Sequence, residues 1–290
     1  MKGHMKTFKD LLPWLHYPVV MSFGLALFAV LQFYGVSPRT NAYISILSTA
    51  FIIMLLEFKF PYRSDWYSSL HEVKTDLMFI GLVQLALPPL ISFTVAYWLV
   101  GHAPEMKMHD YWPHHWSIWS QAILMIVVVD FLLYWLHRAA HNNRFLWRLH
   151  SVHHSVEQLY WLNTSRFHPL EKVLQMLCDS IPFILLGVSE SVLALYYIAY
   201  ATNGFFQHSN IHLRFGWLNY ILGTAELHRW HHARNPEESN HNYGNNIIIW
   251  DVIFGSWYLP KNRHIKEIGL NEKNYPKTFM GQILAPFDMR

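Results

Sequence analysis

Four long apolar segments, separated by short polar stretches, dominate the first half of the chain. They cover residues 18–36, 42–57, 76–100 and 117–136. A helix needs about 20 apolar residues to cross the hydrocarbon core of a bilayer, so the second segment is short for a span. The pattern predicts four transmembrane helices. The first is expected to be retained rather than cleaved, because a second apolar segment follows it directly.

A fifth apolar region, residues 173–206, is interrupted by the loop-like sequence GVSES at residues 187–191. Each half holds roughly 15 residues, or about 22 Å of helix at 1.5 Å per residue. The region therefore predicts a short helical hairpin that enters the membrane and returns to the same side. Histidine-rich stretches lie before and after it, and a site shared by both requires this return. The alternative is a single amphipathic helix on the membrane surface.

The distribution of Lys and Arg orients the predicted helices. Three basic residues lie within residues 1–17 and three in the loop 58–75, whereas the two alternate loops carry one each. The positive-inside rule then places the N-terminus and everything after residue 136 in the cytoplasm. We expect an all-α integral membrane protein of the bacterial inner membrane or the endoplasmic reticulum. Its transmembrane part is residues 1–136, and residues 137–290 form a cytoplasmic, histidine-rich helical cap that includes the hairpin.

Composition narrows the function classes. The chain is 52% hydrophobic and 14% charged, against roughly 25% charged in a typical soluble domain. The net charge of +3 comes without a Lys/Arg cluster of the kind that binds nucleic acid. A single cysteine, Cys178, excludes an internal disulfide framework and a thiolate metal cage. Histidine is the outlier, with 20 copies.

Half of these histidines fall into four groups with helical spacing. Residues three or four apart lie on one helix face, about 5–6 Å apart, so two such imidazoles can reach one metal ion or two adjacent ions. Neutral imidazole binds Fe, Zn, Cu and Ni, and the spacing does not choose among them. Divided between two ions, the ten would leave a position on each for water or dioxygen. The predicted ligands are His137, His141, His150, His153, His154, His208, His212, His228, His231 and His232.

Further polar residues are expected to support these ligands or the substrate. Asp130 lies in an apolar helix seven residues before His137, and ligating histidines commonly donate their second N–H to a carboxylate. The alternative is a carboxylate that only reaches interfacial water. The predicted supporting residues are Asp130, Asn163, Arg166, His168, Asn242 and Tyr243.

The stretches HRAAH, HSVHH, NTSRFHP, QHSNIH and HRWHH, followed by NYG, resemble in this order the fatty acid hydroxylase/sterol desaturase superfamily over residues 130–258. The resemblance implies integral membrane enzymes whose histidine boxes hold two iron ions. It also implies the use of dioxygen on lipid C–H bonds, with electrons from an external donor that is cytochrome b5-like or ferredoxin-like. Iron is the expected metal, with zinc as an alternative in the purified protein.

The expected function is dioxygen-dependent hydroxylation of a fatty acyl, sterol or related lipid at the membrane. Desaturation at the same site is an alternative, because it differs only in whether hydrogen abstraction is followed by hydroxyl rebound or by a second abstraction. A bis-His haem carrier or another metal-binding membrane protein is the non-enzymatic alternative.

Overall fold

The computed structural model describes residues 8–66, 68–102, 108–272 and 274–288, and in these ranges the chain is helical, with isolated β-bridges only. The predicted all-α class is confirmed. The α-helices are α1 Phe8–Phe33, α2 Pro38–Lys59, α3 Leu70–Phe79, α4 Leu87–His102, α5 Ile118–Asn142, α6 Arg144–His154, α7 Pro169–Asp179, α8 Ile181–Leu185, α9 Glu190–His208, α10 Ala225–His231, α11 Pro236–Ser239, α12 Ile249–Phe254 and α13 Phe279–Leu284. Short 3-10 turns cover His109–Tyr111, Trp161–Ser165, Gly216–Tyr220 and Ala285–Phe287.

Four helical stretches are long and apolar enough to cross a membrane, as the hydrophobic pattern predicts. Three of them begin at a serine cap: Ser37, Ser69 and Ser117 each accept a hydrogen bond from a backbone N–H in the first turn of the following helix. Ser69 also forms a reciprocal capping box with Glu72. The four stretches are Phe8–Phe33, Pro38–Lys59, Leu70–Ser92 and Ile118–Asn142.

The third span changes its helix type partway. A π-helix, Ile80–Ala86, joins α3 to α4, and Pro88 and Pro89 follow in the first turn of α4. A π-helical turn holds an extra residue, and proline removes backbone donors, so the regular hydrogen-bond ladder is interrupted here. The widened segment lies beside the cavity described below.

Helix α9 is the centre of the bundle and packs against α1, α2 and α5. Polar contacts fix these neighbours: Tyr17 donates to the side chain of Asn203 at 2.9 Å, and the hydroxyls of Thr49 and Thr202 are 3.0 Å apart. Gly24 permits the close approach of α1, because a Cβ there would lie 2.8 Å from the methyl group of Thr49. The apolar core among these helices fixes the direction in which α9 points toward the cap.

The predicted hairpin is present as α7 and α8 on one side of a turn and α9 on the other. Gly187 makes the turn with φ 69°, a conformation that favours glycine, and Ser189 caps α9 by accepting from Val192 N–H. Imidazole nitrogens of His153, before the hairpin, and His208, after it, lie within 4.8 Å of each other. The chain therefore returns to the end of the bundle from which it started.

The ends of the spans meet the cap at this same end. Pro13, near the start of α1, accepts a hydrogen bond from the backbone N–H of Arg214 at 2.9 Å. Glu57, in the last turn of α2, accepts from the backbone N–H groups of Trp161 and Asn210, both at 2.8 Å. The start of α1 and the end of α2 therefore lie at the same end of the bundle as the segments that hold Trp161, Asn210 and Arg214.

Candidate metal centre

Nine of the ten predicted ligand histidines converge where α5, α6, α9 and α10 meet. They form two groups, and within each group one ring nitrogen from every member lies within 4.8 Å of the others. Seven of the nine side chains are buried, while those of His137 and His141 are partly exposed. Group A contains His137, His141, His150, His154 and His231, and group B contains His153, His208, His228 and His232.

The HxxHH spacing lets each of two short helices serve both groups. In α6, His150 and His154 lie on the face toward group A, whereas His153 points to group B. Helix α10 reverses this arrangement, since its His231 joins group A and the other two histidines of HRWHH join group B. The groups adjoin, because the rings of His154 and His232 stack with centroids 4.5 Å apart.

In group A, the outer nitrogens of four imidazoles are held by oxygen acceptors. Such an acceptor requires a hydrogen on the nitrogen it contacts, so Nδ1 is protonated in these rings and Nε2 keeps its lone pair. The four contacts join Nδ1 of His137 to the Tyr243 carbonyl at 2.8 Å, of His141 to Asn240 Oδ1 at 2.9 Å, of His150 to Glu171 Oε1 at 2.6 Å and of His231 to the His241 carbonyl at 2.8 Å.

Group B follows the same rule in two of its rings. Nδ1 of His208 donates to Asn163 Oδ1 at 2.8 Å, and Nδ1 of His153 donates to the backbone carbonyl of Arg166 at 3.3 Å. Within the described residues, Nδ1 of the buried His232 has no hydrogen-bond partner. Asn163, predicted as a supporting residue, therefore touches a histidine of the centre directly.

The Nε2 atoms face one another at short range, and in the pair His137 and His150 both keep a lone pair, because Nδ1 carries the hydrogen in each ring. Neighbouring Nε2 atoms are 2.9–3.1 Å apart in group A and 3.0–3.2 Å apart in group B. Two lone pairs at this distance repel each other unless a cation lies between them. Nitrogens bound at about 2.1 Å to one metal ion, at right angles, are about 3.0 Å apart. The donor set in each group therefore fits one metal ion.

Burial keeps these imidazoles in the neutral form that metals require. The pKa values of His153, His154, His231 and His232 lie well below the ordinary 6.5, first because burial disfavours the charged ring and then because neighbouring imidazoles repel a proton. Neutral nitrogen ligands suit Fe, Zn, Cu and Ni rather than Mg or Ca.

His212 is the predicted ligand that joins neither group, and its assignment must be corrected. The prediction assumed that one helix carries both His208 and His212, but α9 ends at His208 and Ser209 is extended. The backbone N–H of His212 instead donates to the carbonyl of Phe60 at 3.0 Å, and its side chain is exposed.

Asp130 is fully buried, yet none of its hydrogen bonds reaches a histidine. Its carboxylate accepts from the backbone N–H groups of Asn246 at 2.7 Å and Ile247 at 2.5 Å, and from the Asn246 side chain at 2.9 Å. The expectation that Asp130 orients a ligand directly is therefore wrong. Seven residues of helix separate it by about 10 Å from His137. It anchors the loop whose Tyr243 carbonyl holds that histidine.

The predicted supporting residues Arg166 and His168 have different roles. Arg166 offers its carbonyl to His153, while its guanidinium forms a buried ion pair with Asp76 at 2.5 Å. His168, expected as a supporting residue, joins neither group, and its ring nitrogens contact the backbone of Leu170 and Ile283. Because Pro169 starts α7, His168 becomes the cap of that helix and accepts from Leu170 N–H at 3.2 Å.

Of the two remaining predicted supporting residues, Tyr243 lies beside group A, and Asn242 contacts neighbouring backbone groups. Asn242 adopts φ 58°, and its amide donates to the carbonyls of Leu227 and Tyr258 at 3.1 and 2.7 Å, which shapes the loop. The ring of Tyr243 packs 5.2 Å from that of His141.

Two supporting residues, Glu171 and Asn240, were not predicted. Each accepts a hydrogen bond from a histidine of group A. Glu171 lies in the first turn of α7, and Asn240 precedes the NYG stretch by two residues. No spacing rule links either residue to its histidine, because the contacts join segments far apart in sequence. A carboxylate on the buried face of α7 is the single sequence signal.

A cavity of about 1060 Å³ ends at the histidines. Residues of one face of α9, from Glu190 to His208, line it. This face is about 27 Å long at 1.5 Å per residue, close to the roughly 30 Å hydrocarbon thickness of a bilayer. The inner end is formed by the rings of His137, His150, His153, His208 and His228.

The cavity opens sideways between α2 and the third span. Tyr43 and Leu47 of α2, and Leu77 and Leu85 of the third span, line the cavity and have exposed side chains, Leu47 to 66%. In a membrane, such side chains face acyl chains rather than water.

Together, the fold and the site define a multi-pass membrane protein with a double histidine centre at the end of a lipid-accessible cavity. The fatty acid hydroxylase family model matches residues 122–256. The ornithine lipid hydroxylase OlsE of Rhizobium tropici is 35% identical over 249 residues, which cover 84% of this chain and 75% of that protein. The chain belongs to the fatty acid hydroxylase family, and it is an oxidoreductase.

Further relatives match about half of the chain. Alkylglycerol monooxygenases of Xenopus tropicalis and Homo sapiens are 32% and 36% identical over 52% and 50% of this chain. The chain spans about a third of each, 33% and 32% respectively. No solved structure matches the chain significantly.

Proposed function

We propose that the chain is a dioxygen-dependent lipid hydroxylase in which groups A and B hold two iron ions. The observation that carries the proposal is the meeting of two neutral imidazole groups with a cavity open to lipid. Bound iron would supply the dioxygen chemistry needed to oxidise an unactivated C–H bond, with two electrons per turnover from an external one-electron carrier. Relatives named as a hydroxylase and as monooxygenases support this reaction class.

The residues around the histidines orient the ligands and keep water away. Glu171 and Asn163 each hold one imidazole by its Nδ1, which fixes the tautomer and aims Nε2 inward. The ring of Phe167 stacks on His153 with centroids 4.2 Å apart, and Leu149 lines the same end of the cavity. This apolar packing excludes water from the position where a substrate carbon would lie.

The substrate we propose is a membrane lipid with at least one long acyl chain. The cavity volume of about 1060 Å³ is at the upper end of the roughly 300–1,000 Å³ found for small-molecule pockets. Its length along α9 and its sideways opening suit an acyl chain that enters from the bilayer. The named substrate class of the Rhizobium relative, a lipid, agrees with this choice.

We propose that electrons enter beside Trp147. Its indole is partly exposed and lies 5.1 Å from the ring of His141 and 5.3 Å from that of His154, both in group A. Arg144 and Arg148 flank it in the sequence. A basic surface around an aromatic ring suits an acidic one-electron carrier, of cytochrome b5-like or ferredoxin-like type. Arg144→Glu should slow reduction by such a carrier and weaken its salt dependence, with metal content unchanged.

We propose that the histidine-bearing face is cytoplasmic, from the excess of Lys and Arg on that side. Of the residues used for this inference, Lys2, Lys6 and Lys107 lie outside the described residues. Cysteines introduced at Phe145 and Pro236 should both react with an impermeant reagent from the cytoplasmic side only. Labelling of either position from the opposite side in intact cells contradicts the orientation.

The central test is expression of the full chain in a host without it, followed by comparative lipidomics. The matched control is His208→Ala, which lacks one nitrogen of group B. We expect a lipid heavier by one oxygen atom with the wild type alone, and the added atom should come from isotopically labelled dioxygen. A product lighter by two hydrogen atoms would identify desaturation instead. An unchanged lipid profile, with metal bound and a donor present, contradicts the proposal.

A further inference from the structure

A strip of buried polar side chains crosses the otherwise apolar wall of the cavity. Glu171, Lys172 and Gln175 line the cavity on one side of α7, and each is at least nine-tenths buried. Asp179 lies on the same side one further turn along and is 1% exposed. A cation and two carboxylates in a lipid-accessible cavity are costly to bury unless they are paired, and such residues within a membrane protein commonly mark a binding site.

The pairing within this strip is incomplete. The ammonium of Lys172 is 3.4 Å from Gln175 Oε1 and 3.8 Å from Asp179 Oδ2, which is long for a charge-assisted hydrogen bond. Among the described residues, Asp179 Oδ2 and Glu171 Oε2 have no hydrogen-bond donor. The strip therefore presents two buried carboxylate oxygens that lack donors and one buried ammonium whose acceptors are distant.

Two tyrosines of α9 form the wall of the cavity next to the strip. The ring centroid of Tyr200 lies 5.7 Å from the Lys172 ammonium. The hydroxyl of Tyr197 is 2.6 Å from the Ser180 hydroxyl, which in turn donates to Asp179. Tyr197 and Tyr200 both line the cavity. The strip and these two tyrosines therefore line the same part of the cavity.

We propose that this strip binds the headgroup of a zwitterionic lipid, one that carries an ammonium and an anionic group a few atoms apart. The anion would contact the Lys172 ammonium, which Asp179 holds from the other side, and the lipid ammonium would donate to the free oxygen of Glu171. The inference rests on the proposed function and adds the substrate class. Two sources share this chemistry: lipids built on an amino acid, and phosphatidylethanolamine.

The position of the strip also indicates which part of the lipid is oxidised. Glu171 accepts from His150 of group A through one oxygen and faces the strip with the other. A headgroup bound there lies next to the histidines, while the acyl chains occupy the apolar part toward Leu47 and Leu85. The oxidised carbon is therefore in or near the headgroup rather than far along an acyl chain.

The test measures binding by the purified, metal-loaded full chain in detergent. The probe is Nα-palmitoyl-lysine, which has a free ammonium and a free carboxylate. Its neutral counterpart is the Nε-acetylated methyl ester, and phosphatidylethanolamine is the phospholipid arm. Lys172→Met removes the charge and keeps the length, and Lys261→Met is the control at an exposed lysine.

We expect Lys172→Met to weaken binding of the zwitterionic probe about 10-fold or more, as loss of one charge-assisted contact does. Binding of the neutral ester should stay unchanged, and Lys261→Met should match the wild type for both. Stronger binding of phosphatidylethanolamine with the same dependence on Lys172 assigns the site to phospholipids. Equal binding of zwitterion and ester by the wild type, or no effect of Lys172→Met, overturns the proposal.

Lys172→Met leaves Asp179 as an unpaired buried charge, which can prevent folding. The double variant Lys172→Met/Asp179→Asn removes both charges, and it should fold, bind the neutral ester and lose selectivity for the zwitterion. Retained selectivity in that variant overturns the proposal. Selective binding without any oxidised product in the reconstituted enzyme contradicts the proposed function alone. Oxidation that proceeds equally on the neutral ester contradicts the headgroup site alone.

Discussion

Replacement of Asp130 by leucine should weaken the metal centre from a distance. The carboxylate is fully buried and accepts three hydrogen bonds from Asn246 and Ile247. These residues end the loop whose Tyr243 carbonyl holds His137 of group A. The variant removes the anchor of the loop without removing any group that touches a histidine.

The loss of folding stability in Asp130→Leu can be worked out from the three N–H donors that lose their acceptor. Hydrogen bonds to a charged group contribute about 1.5–3 kcal/mol each, and removing one partner of a buried charged contact typically costs about 3–5 kcal/mol. We expect Asp130→Leu to fall in that range, because the cost of burying the carboxylate disappears with it. Asp130→Asn retains one oxygen but turns an NH₂ group toward a backbone N–H. A loss of folding stability of about 1–3 kcal/mol is therefore expected for this variant.

The loop is held at its other end by Asp251, which accepts from the backbone N–H groups of Tyr243 and Gly244 at 2.8 and 2.7 Å. Asp251→Asn should therefore reproduce the effect of Asp130→Asn on metal affinity, although the two carboxylates lie on different helices. Loss of such outer support typically lowers metal affinity about 10- to 100-fold.

The assay is thermal unfolding in detergent combined with metal retention against a chelator. Asp130→Leu should lower the unfolding temperature and release metal more readily, with Asp130→Asn intermediate. Asp65→Leu, at an exposed position paired with Arg63, is the control and should change neither value measurably. Wild-type unfolding temperature and metal retention in Asp130→Leu would refute the reasoning.

Four further outcomes follow from the geometry. His153→Ala and His231→Ala each remove one nitrogen from group B or group A and should lower metal content and abolish lipid oxidation, whereas His212→Ala should retain both, as elemental analysis and product assays would show. Leu47→Trp narrows the sideways opening and should raise KM for lipid without changing metal content; an unchanged KM contradicts lateral entry. Burial lowers the pKa of His228 from 6.5 to about 3, so the unfolded chain binds the proton first. The stabilising contribution of neutral His228 in the metal-depleted protein should therefore be complete above pH 6.5 and decline as the pH falls toward 3. Unfolding temperatures at several pH values would check this trend.

The spans and the histidine groups could be predicted because both depend on local periodicity. Apolar length identified four helices, and i, i+3 and i, i+4 spacing identified the faces of α6 and α10 that carry the histidines of groups A and B. The predicted boundary at residue 136 falls inside α5, which continues to Asn142 and carries His137 and His141. The division into a transmembrane part and a cap stays a prediction.

The misassigned residues share one physical cause, which is that their roles depend on contacts between distant segments. His212 has the right spacing, but α9 ends at His208, and the buried Arg229 donates to the carbonyls of Ser209 and Ile211. Those two bonds hold the chain in an extended path that helix spacing cannot describe. Asp130 and Glu171 have the reverse problem, since sequence distance says nothing about which buried partner they meet.

Because His212 joins neither group, groups A and B differ in their number of histidines and in the share of their rings that line the cavity. Group A has five imidazoles, and group B has four because α9 stops one turn too early to supply a fifth. Three of the four rings of group B line the cavity, compared with two of the five in group A. The group with fewer nitrogens therefore has the larger share of its rings on the side from which a lipid approaches. Catalytic metal sites keep a position free of protein ligands, and the early end of α9 gives group B the smaller protein ligand set.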